Sequence, residues 1–318
     1  MPESVRIWGP GSLSNLGPGF DTLGMAIDGV GDVVEVFVTD EPGVTVHPGG
    51  GVWEPPTEVM DNTAARAVAR IVEQHPNFRH GLGLRIVKGI RPGSGLGSSA
   101  ASASAAALGA LLILSGGPKS EAVDAALEGE SGVSGARHGD NVLPSLFGGA
   151  VLTSASNPER YRLVPIPCEV HFAVVRPDVR VLTKEARAML PDQVPLRDAV
   201  HNASALAFLI DALRSGDLGA FGHAIEQDRL VEPVRARLVP GYDQILGAAR
   251  EAGALGAALT GSGPAMFAVA SDRQAAESVC QAMLQATRDV GHQVSGLATS
   301  VDLQGARPTT LEKPESYY

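Results

Sequence analysis

Apolar positions recur along this chain with two different periods, and each change of period marks an element. Residues 5–8 read as a short strand. The glycine- and proline-rich run GPGSLSNLGPGFDTLG that follows reads as a long structured loop, a kind of segment that often carries function. DVVEVFVT, residues 32–39, alternates and is Val-rich, so it predicts a strand, with residues 44–47 pairing back onto it as a hairpin. Residues 62–74 place Ala65, Val68, Ala69 and Val72 at helical spacing, and residues 83–87 return to a strand. A glycine–serine stretch then opens a helix over 98–114, roughly 25 Å long at 1.5 Å per residue, with Ser98 or Ser99 as its N-cap. Gly116, Gly117 and Pro118 stop it, and Ser120 caps a second helix to about Glu130. Residues 131–153 read as a polar loop, a short helix and a glycine-led strand.

The second half repeats the mixture. Strands are predicted at 169–176, 256–260, 265–270 and 293–302. Helices are predicted at 183–190, 197–214, 218–228, 242–251 and, capped by Asp272, to about Val290. Without a regular βαβ rhythm, this pattern predicts an α+β fold rather than a doubly wound sheet. The chain has 318 residues, which predicts two domains, 1–160 and 161–306, and a loose tail over 307–318.

Composition narrows the class. Hydrophobic residues make up 44% and charged residues 19%, enough apolar material for a large core. A net charge of -10 speaks against nucleic acid as the partner. Cys168 and Cys280 make neither a disulfide framework nor a metal cluster, as expected of thiols in a reducing cytoplasm. The first residues lack a basic segment followed by an apolar one, and the longest apolar run, 105–114, falls short of the ~20 residues that span a bilayer. A soluble cytoplasmic protein with no membrane partner is the expectation.

The candidate chemistry centres on PGSGLGSSA: Pro92, Gly93, Ser94, Gly95, Leu96, Gly97, Ser98 and Ser99. Glycines let backbone N–H groups approach a ligand, and the helix N-terminus beyond them favours an anion. The P-loop pattern fails for want of a Lys after the glycines, and the dinucleotide pattern fails because Ala100 stands at its third glycine. Taken alone, the stretch is equally a phosphate cradle or a plain turn before a buried helix.

Four further stretches bear on the choice: NLGPGFDTLG (15–24), GARHGDNVLPSLFGG (135–149), EPVRARLVPGY (232–242) and GAALTGSGPAMFA (256–268). With the glycine loop they resemble, in order, the motifs of the kinases named for galactokinase, homoserine kinase, mevalonate kinase and phosphomevalonate kinase (GHMP). NLGPGFD and DNVLPSLFGG resemble the homoserine kinases in particular. The resemblance implies a ribosomal-protein-like α+β N-terminal domain and a ferredoxin-like α+β C-terminal domain, ATP and Mg²⁺ as cofactors, L-homoserine as substrate, and a homodimer. It implies that the glycine loop holds the triphosphate, that Ser98 and Glu130 hold the metal, and that Asn62 flanks the adenine pocket. It implies substrate contacts from Asn15, Asp21, His138, Arg187, Arg235 and Gly261. The guanidinium forks suit a carboxylate, and Asp21 with Asn15 suits an ammonium. Asn141 stands where mevalonate and galactose kinases carry an Asp, so the expectation is a hydroxyl oriented by Asn141 without a dedicated strong base. Leu13 stands where the family has a hydroxyl residue, at a contact near the substrate. A mevalonate-like kinase, or a sensor of the same fold that binds ATP and an amino acid without turnover, stays open as an alternative.

Overall fold

The computed structural model describes residues 2–51, 53–134 and 137–314. Gly135 and Ala136, the start of the third motif, and residues 315–318 of the tail lie outside them.

The first sheet is built from β1 (Ser4–Ser14), β2 (Leu23–Thr39), β3 (Gly43–His47), β4 (Gly81–Val87), β5 (Ala150–Ser154) and β6 (Asn157–Val164). Its main path runs β1-β2-β4-β3, and β5 pairs with β2 and with β6. Helices α1 (Thr63–Glu73), α2 (Ser98–Leu114), α3 (Val123–Ser134) and α4 (Gly139–Phe147) belong to this half. The second sheet has the order β10-β7-β9-β8, from β7 (His171–Pro177), β8 (Gly256–Leu259), β9 (Met266–Ala270) and β10 (Val294–Ser300). Around it lie α5 (Thr183–Ala188), α6 (Leu196–Ser215), α7 (Leu218–Ile225), α8 (Glu232–Arg235), α9 (Tyr242–Glu251) and α10 (Arg273–Asp289). A last strand, β11 (Arg307–Pro308), returns to pair with β1.

The α+β reading holds, and several details are corrected. β1 runs on to Ser14 and β2 starts at Leu23, so the long loop shrinks to residues 15–22. A register shift between Pro10 and Ser12 lets the strand absorb its proline and glycines. β3 pairs parallel to β4 instead of forming a hairpin with β2, because α1 lies between them in the chain as a crossover. β6, which was not predicted, runs from Asn157 past residue 160 to Val164. The tail expected to be loose begins as β11, and Thr309 N–H donates to Arg6 O at 2.9 Å. Ser120 sits inside a 3₁₀ turn and caps nothing. The N-cap of α2 is Gly97, at φ 67°, and no side chain caps that helix.

Helix α2 is the hub of the first half, buried along its length except at Ser99 and Leu112. Its small residues let it lie on the sheet. A Cβ on Gly9 would come to 2.3 Å from Ala101 O, and one on Gly109 to 2.6 Å from Val36 Cγ2. Period-two alternation sorts the second sheet into two faces. Phe172 and Val174 of β7 and Phe267 and Val269 of β9 face a core shared with Leu13, Leu23, Met25 and Ile27 of the first half. Val175 and Met266 face the other way, onto Ile245 and Met283 of α9 and α10. One apolar core therefore crosses the seam between the halves.

Candidate active site

A cavity of ≈ 580 Å³ opens along that seam. Every candidate residue from the sequence lines it except Leu96, which is 5% exposed and turns its side chain into the shared core.

The glycine loop is held from below by a residue the motifs do not mark. Lys88, just past β4, donates through Nζ to Asp32 Oδ2, to Ser98 O at 2.7 Å and to Ser102 Oγ at 2.9 Å. Asp32 Oδ1 accepts from Gly89 N (3.0 Å) and Ile90 N (3.1 Å), and Ser98 Oγ donates to Ile90 O at 2.9 Å. The two ends of the loop are thus tied to one buried ion pair. Between them Gly93, Gly95 and Gly97 take φ of 73°, 87° and 67°, which favours glycine. The uncapped first turn of α2 then presents free N–H donors and its positive dipole end to the cavity.

Ser98 and Glu130 both line the cavity, but the hydrogen-bonded pair is Ser99 and Glu130, with Ser99 Oγ donating to Oε1 at 3.0 Å. Burial pushes the Glu130 carboxyl up to about 7, against the opposing pull of Ser99 and of the Lys88 charge. Asn62 acts first as a cap: its Oδ1 accepts from Ala65 N at 3.1 Å and its Nδ2 donates to Pro56 O at 2.6 Å. It thereby pins the Trp53–Pro56 stretch that also lines the cavity.

On the other wall, the loop 15–22 is wound through three non-glycine residues at positive φ, Asn15 (71°), Leu16 (50°) and Asp21 (55°), a cluster of backbone strain typical of functional sites. Asp21 accepts from both Arg187 Nη atoms at 2.9 Å, and His138 Nδ1 lies 3.5 Å from its Oδ2. The Asp21 hydrogen bonds raise the Arg187 pKa, and burial lowers that of His138. Gly261 O accepts from Asn15 Nδ2 (3.0 Å) and Arg235 Nη1 (2.8 Å), so the Gly261 carbonyl joins the loop 15–22 to α8. Arg235 is 3% exposed, and burial followed by the nearby Arg187 charge lowers its pKa.

Asn141 sits where these parts meet. Its Oδ1 accepts from Ser12 Oγ at 2.8 Å. A Cβ on Gly97 would come to 2.3 Å from Ser12 Oγ and 2.9 Å from Asn141 Oδ1. Thr260 Oγ1 accepts from Ser14 N (3.1 Å) and donates to Gly95 O (3.0 Å), tying the end of β1, the glycine loop and the last motif together. The alternation of β1 turns Ser12 and Ser14 toward these partners and Leu13 into the core, where it is 0% exposed. The contact that Leu13 put in question is therefore not one its side chain makes. Ser12, Lys88, Asp32 and Thr260 were missed from the sequence. For Ser12 a signal existed, because a strand carried through to Ser14 places alternate residues on one face.

Comparison with known proteins agrees with this layout. The family model described as GHMP kinases N terminal domain matches residues 62–149, and that described as GHMP kinases C terminal matches 209–289. A homoserine kinase of Pyrococcus abyssi is 40% identical over 264 residues, 83% of this chain and 87% of that protein. That of Pyrococcus furiosus is 38% identical over 93% of this chain and 98% of its own. The crystal structure of homoserine kinase from Cytophaga hutchinsonii superposes with a TM-score of 0.92 at 33% identity, covering 97% of this chain and 98% of that one. An L. major mevalonate kinase, at 19% identity and a TM-score of 0.67, shares the fold alone. Among the described residues no single helix is long and apolar enough to cross a membrane.

Proposed function

Since the chain belongs to the GHMP kinases, and among them to the homoserine kinases, we propose that it transfers the terminal phosphoryl group of ATP to the side-chain hydroxyl of L-homoserine, the step that yields O-phospho-L-homoserine for threonine biosynthesis. The observation that carries this reading is the contact of Gly97 with Asn141, which brings the end of the phosphate loop onto the wall that holds Asp21, Arg187 and Arg235.

The loop N–H groups and the start of α2 receive the triphosphate. Homoserine is a zwitterion, and the wall offers its complement. Its carboxylate takes the Arg187 and Arg235 forks, and its ammonium takes Asp21 and Asn15. The Arg187–Asp21 pair is an internal stand-in for this arrangement, which the substrate exchanges for two pairs of its own. With Asn141 Oδ1 accepting from Ser12, its Nδ2 donor is left to orient the hydroxyl. Phosphoryl transfer asks mostly for positioning and charge neutralisation, so the hydroxyl attacks without a dedicated strong base and loses its proton late, to phosphate or solvent. Mg²⁺ is a cation that keeps its waters and takes few protein ligands. Glu130 with Ser98 supplies the hard oxygens such an ion needs, and the ion when bound neutralises phosphate charge.

Mass spectrometry of the purified protein with ATP, Mg²⁺ and homoserine should show phosphohomoserine, with far less product from mevalonate, shikimate or galactose. Tight binding of both substrates without product would mark a sensor instead. Arg235→Ala removes a buried charge-assisted contact, about 1.5–3 kcal/mol, and should raise the KM for homoserine roughly 10- to 150-fold.

A further inference from the structure

Phe20 belongs to the NLGPGFD motif, yet neither binding nor transfer as derived so far uses it. Its ring centroid lies 4.9 Å from the guanidinium carbon of Arg235 and 5.3 Å from that of Arg187. The two arginines come from different helices, α8 and α5, and one aromatic ring touches both. Their charges oppose each other: Arg187 is among the causes that lower the Arg235 pKa, second only to burial. Asp21 engages Arg187 bidentately, whereas Arg235 meets a neutral carbonyl, Gly261 O.

The negative face of an aromatic ring attracts a cation without accepting its N–H hydrogen bonds. A carboxylate in the same place would neutralise the arginines but consume the donors that a substrate needs. The backbone that carries the ring is fixed by turns. Gly19 N donates to Asn15 O, and Thr22 N and Leu23 N donate back to Gly19 O, on either side of the half-buried Phe20. A Cβ on Gly17 would fall 1.9 Å from Ile225 O, so the loop is pressed against α7.

We propose that Phe20 is a positioning residue whose ring holds the Arg187 and Arg235 guanidinium groups together for one substrate carboxylate while taking none of their N–H donors for itself. The inference rests on the homoserine reading and adds a specificity element to it: the ring selects for the carboxylate end of the substrate.

The test compares Phe20→Leu, which keeps apolar bulk without a π face, with Phe20→Tyr, which keeps the face. Removing both cation–π interactions should raise the KM for homoserine about tenfold in Phe20→Leu, with the KM for ATP unchanged and kcat within about twofold. Phe20→Tyr should return the KM to within about threefold of wild type. 3-Aminopropan-1-ol is homoserine without its carboxylate, and its inhibition constant should be the same in wild type and Phe20→Leu. An unchanged KM for ATP certifies that the variant is folded. If Phe20→Leu weakens both compounds equally, or if Leu and Tyr behave alike, the ring acts by packing only and the proposal is overturned. A wild type that makes no phosphohomoserine sinks the parent reading instead. Calorimetric binding of homoserine to the same variants then reads Phe20 by the same criteria.

Discussion

Asp140 lies next to Asn141 in the chain, lines the same cavity and is 4% exposed. Burial first, and the neighbouring Asp21 charge second, push its carboxyl up to about 7 from an ordinary value of 3.8. The folded chain therefore keeps a proton there that the unfolded chain releases near pH 4, and stability falls as pH rises through the window between those values. Asp140→Asn removes that penalty. Its melting temperature should exceed that of wild type by roughly 3–8 °C at pH 8, and the gain should vanish by about pH 4. If Asp140 is not the base, the variant should also keep turnover within about tenfold, because a missing general base costs about 10²–10⁴-fold. Turnover abolished with both substrates still bound would make Asp140 the proton acceptor. At this scale the sequence was legible where the resemblance marks charged residues, as at Asp21, Arg187 and Arg235, all of which line the cavity. It was illegible where a residue acts through a distant partner. Nothing around Lys88 announces an Asp 56 positions upstream.

The helices α1, α9 and α10, with strong periodicity, and α2, a run of small apolar residues between two glycine stops, were readable to within a residue or two, and Asp272 caps α10 as expected, its Oδ1 accepting from Ala275 N at 2.8 Å. Strand pairing was not readable, because β3 and β4 meet only through a crossover that local pattern does not encode. The loop between β4 and α2 shows what this costs. Its shape depends on the Lys88–Asp32 pair, which joins β2, β4 and the first turns of α2. Breaking a buried pair by removing one partner costs about 3–5 kcal/mol. Lys88→Met and Asp32→Asn should each lower the melting temperature by roughly 4–8 °C. Both should raise the KM for ATP well above the change in KM for homoserine. A parallel rise in both constants would mean that the pair supports the fold without shaping the loop.

For the whole molecule the decisive feature is the core that crosses the seam, since the cavity exists only while the two halves stay packed. Leu13 tests this. In the core it should tolerate no hydroxyl, and Leu13→Thr should cost about 2–4 kcal/mol of stability through reduced apolar volume and a buried polar group. At a temperature where the variant is folded, its KM for homoserine should match that of wild type, because Ser12 and Ser14, not residue 13, face the site. A selective KM defect would put the side chain at the substrate after all. The return of β11 to β1 carries a consequence for synthesis. Ile7 and Trp8 pair with Pro308 and Arg307, nearly the full length of the chain away. A ribosome adding 5–20 residues per second needs roughly 15–60 s to travel from Ser14 to Pro308. Throughout that interval the outer edge of β1 has no partner strand, even once β2 and α2 have been made and cover its other sides. The nascent chain must therefore shield an open strand edge until residues 307 and 308 emerge, and a chain cut short before Arg307 is released with that edge still bare.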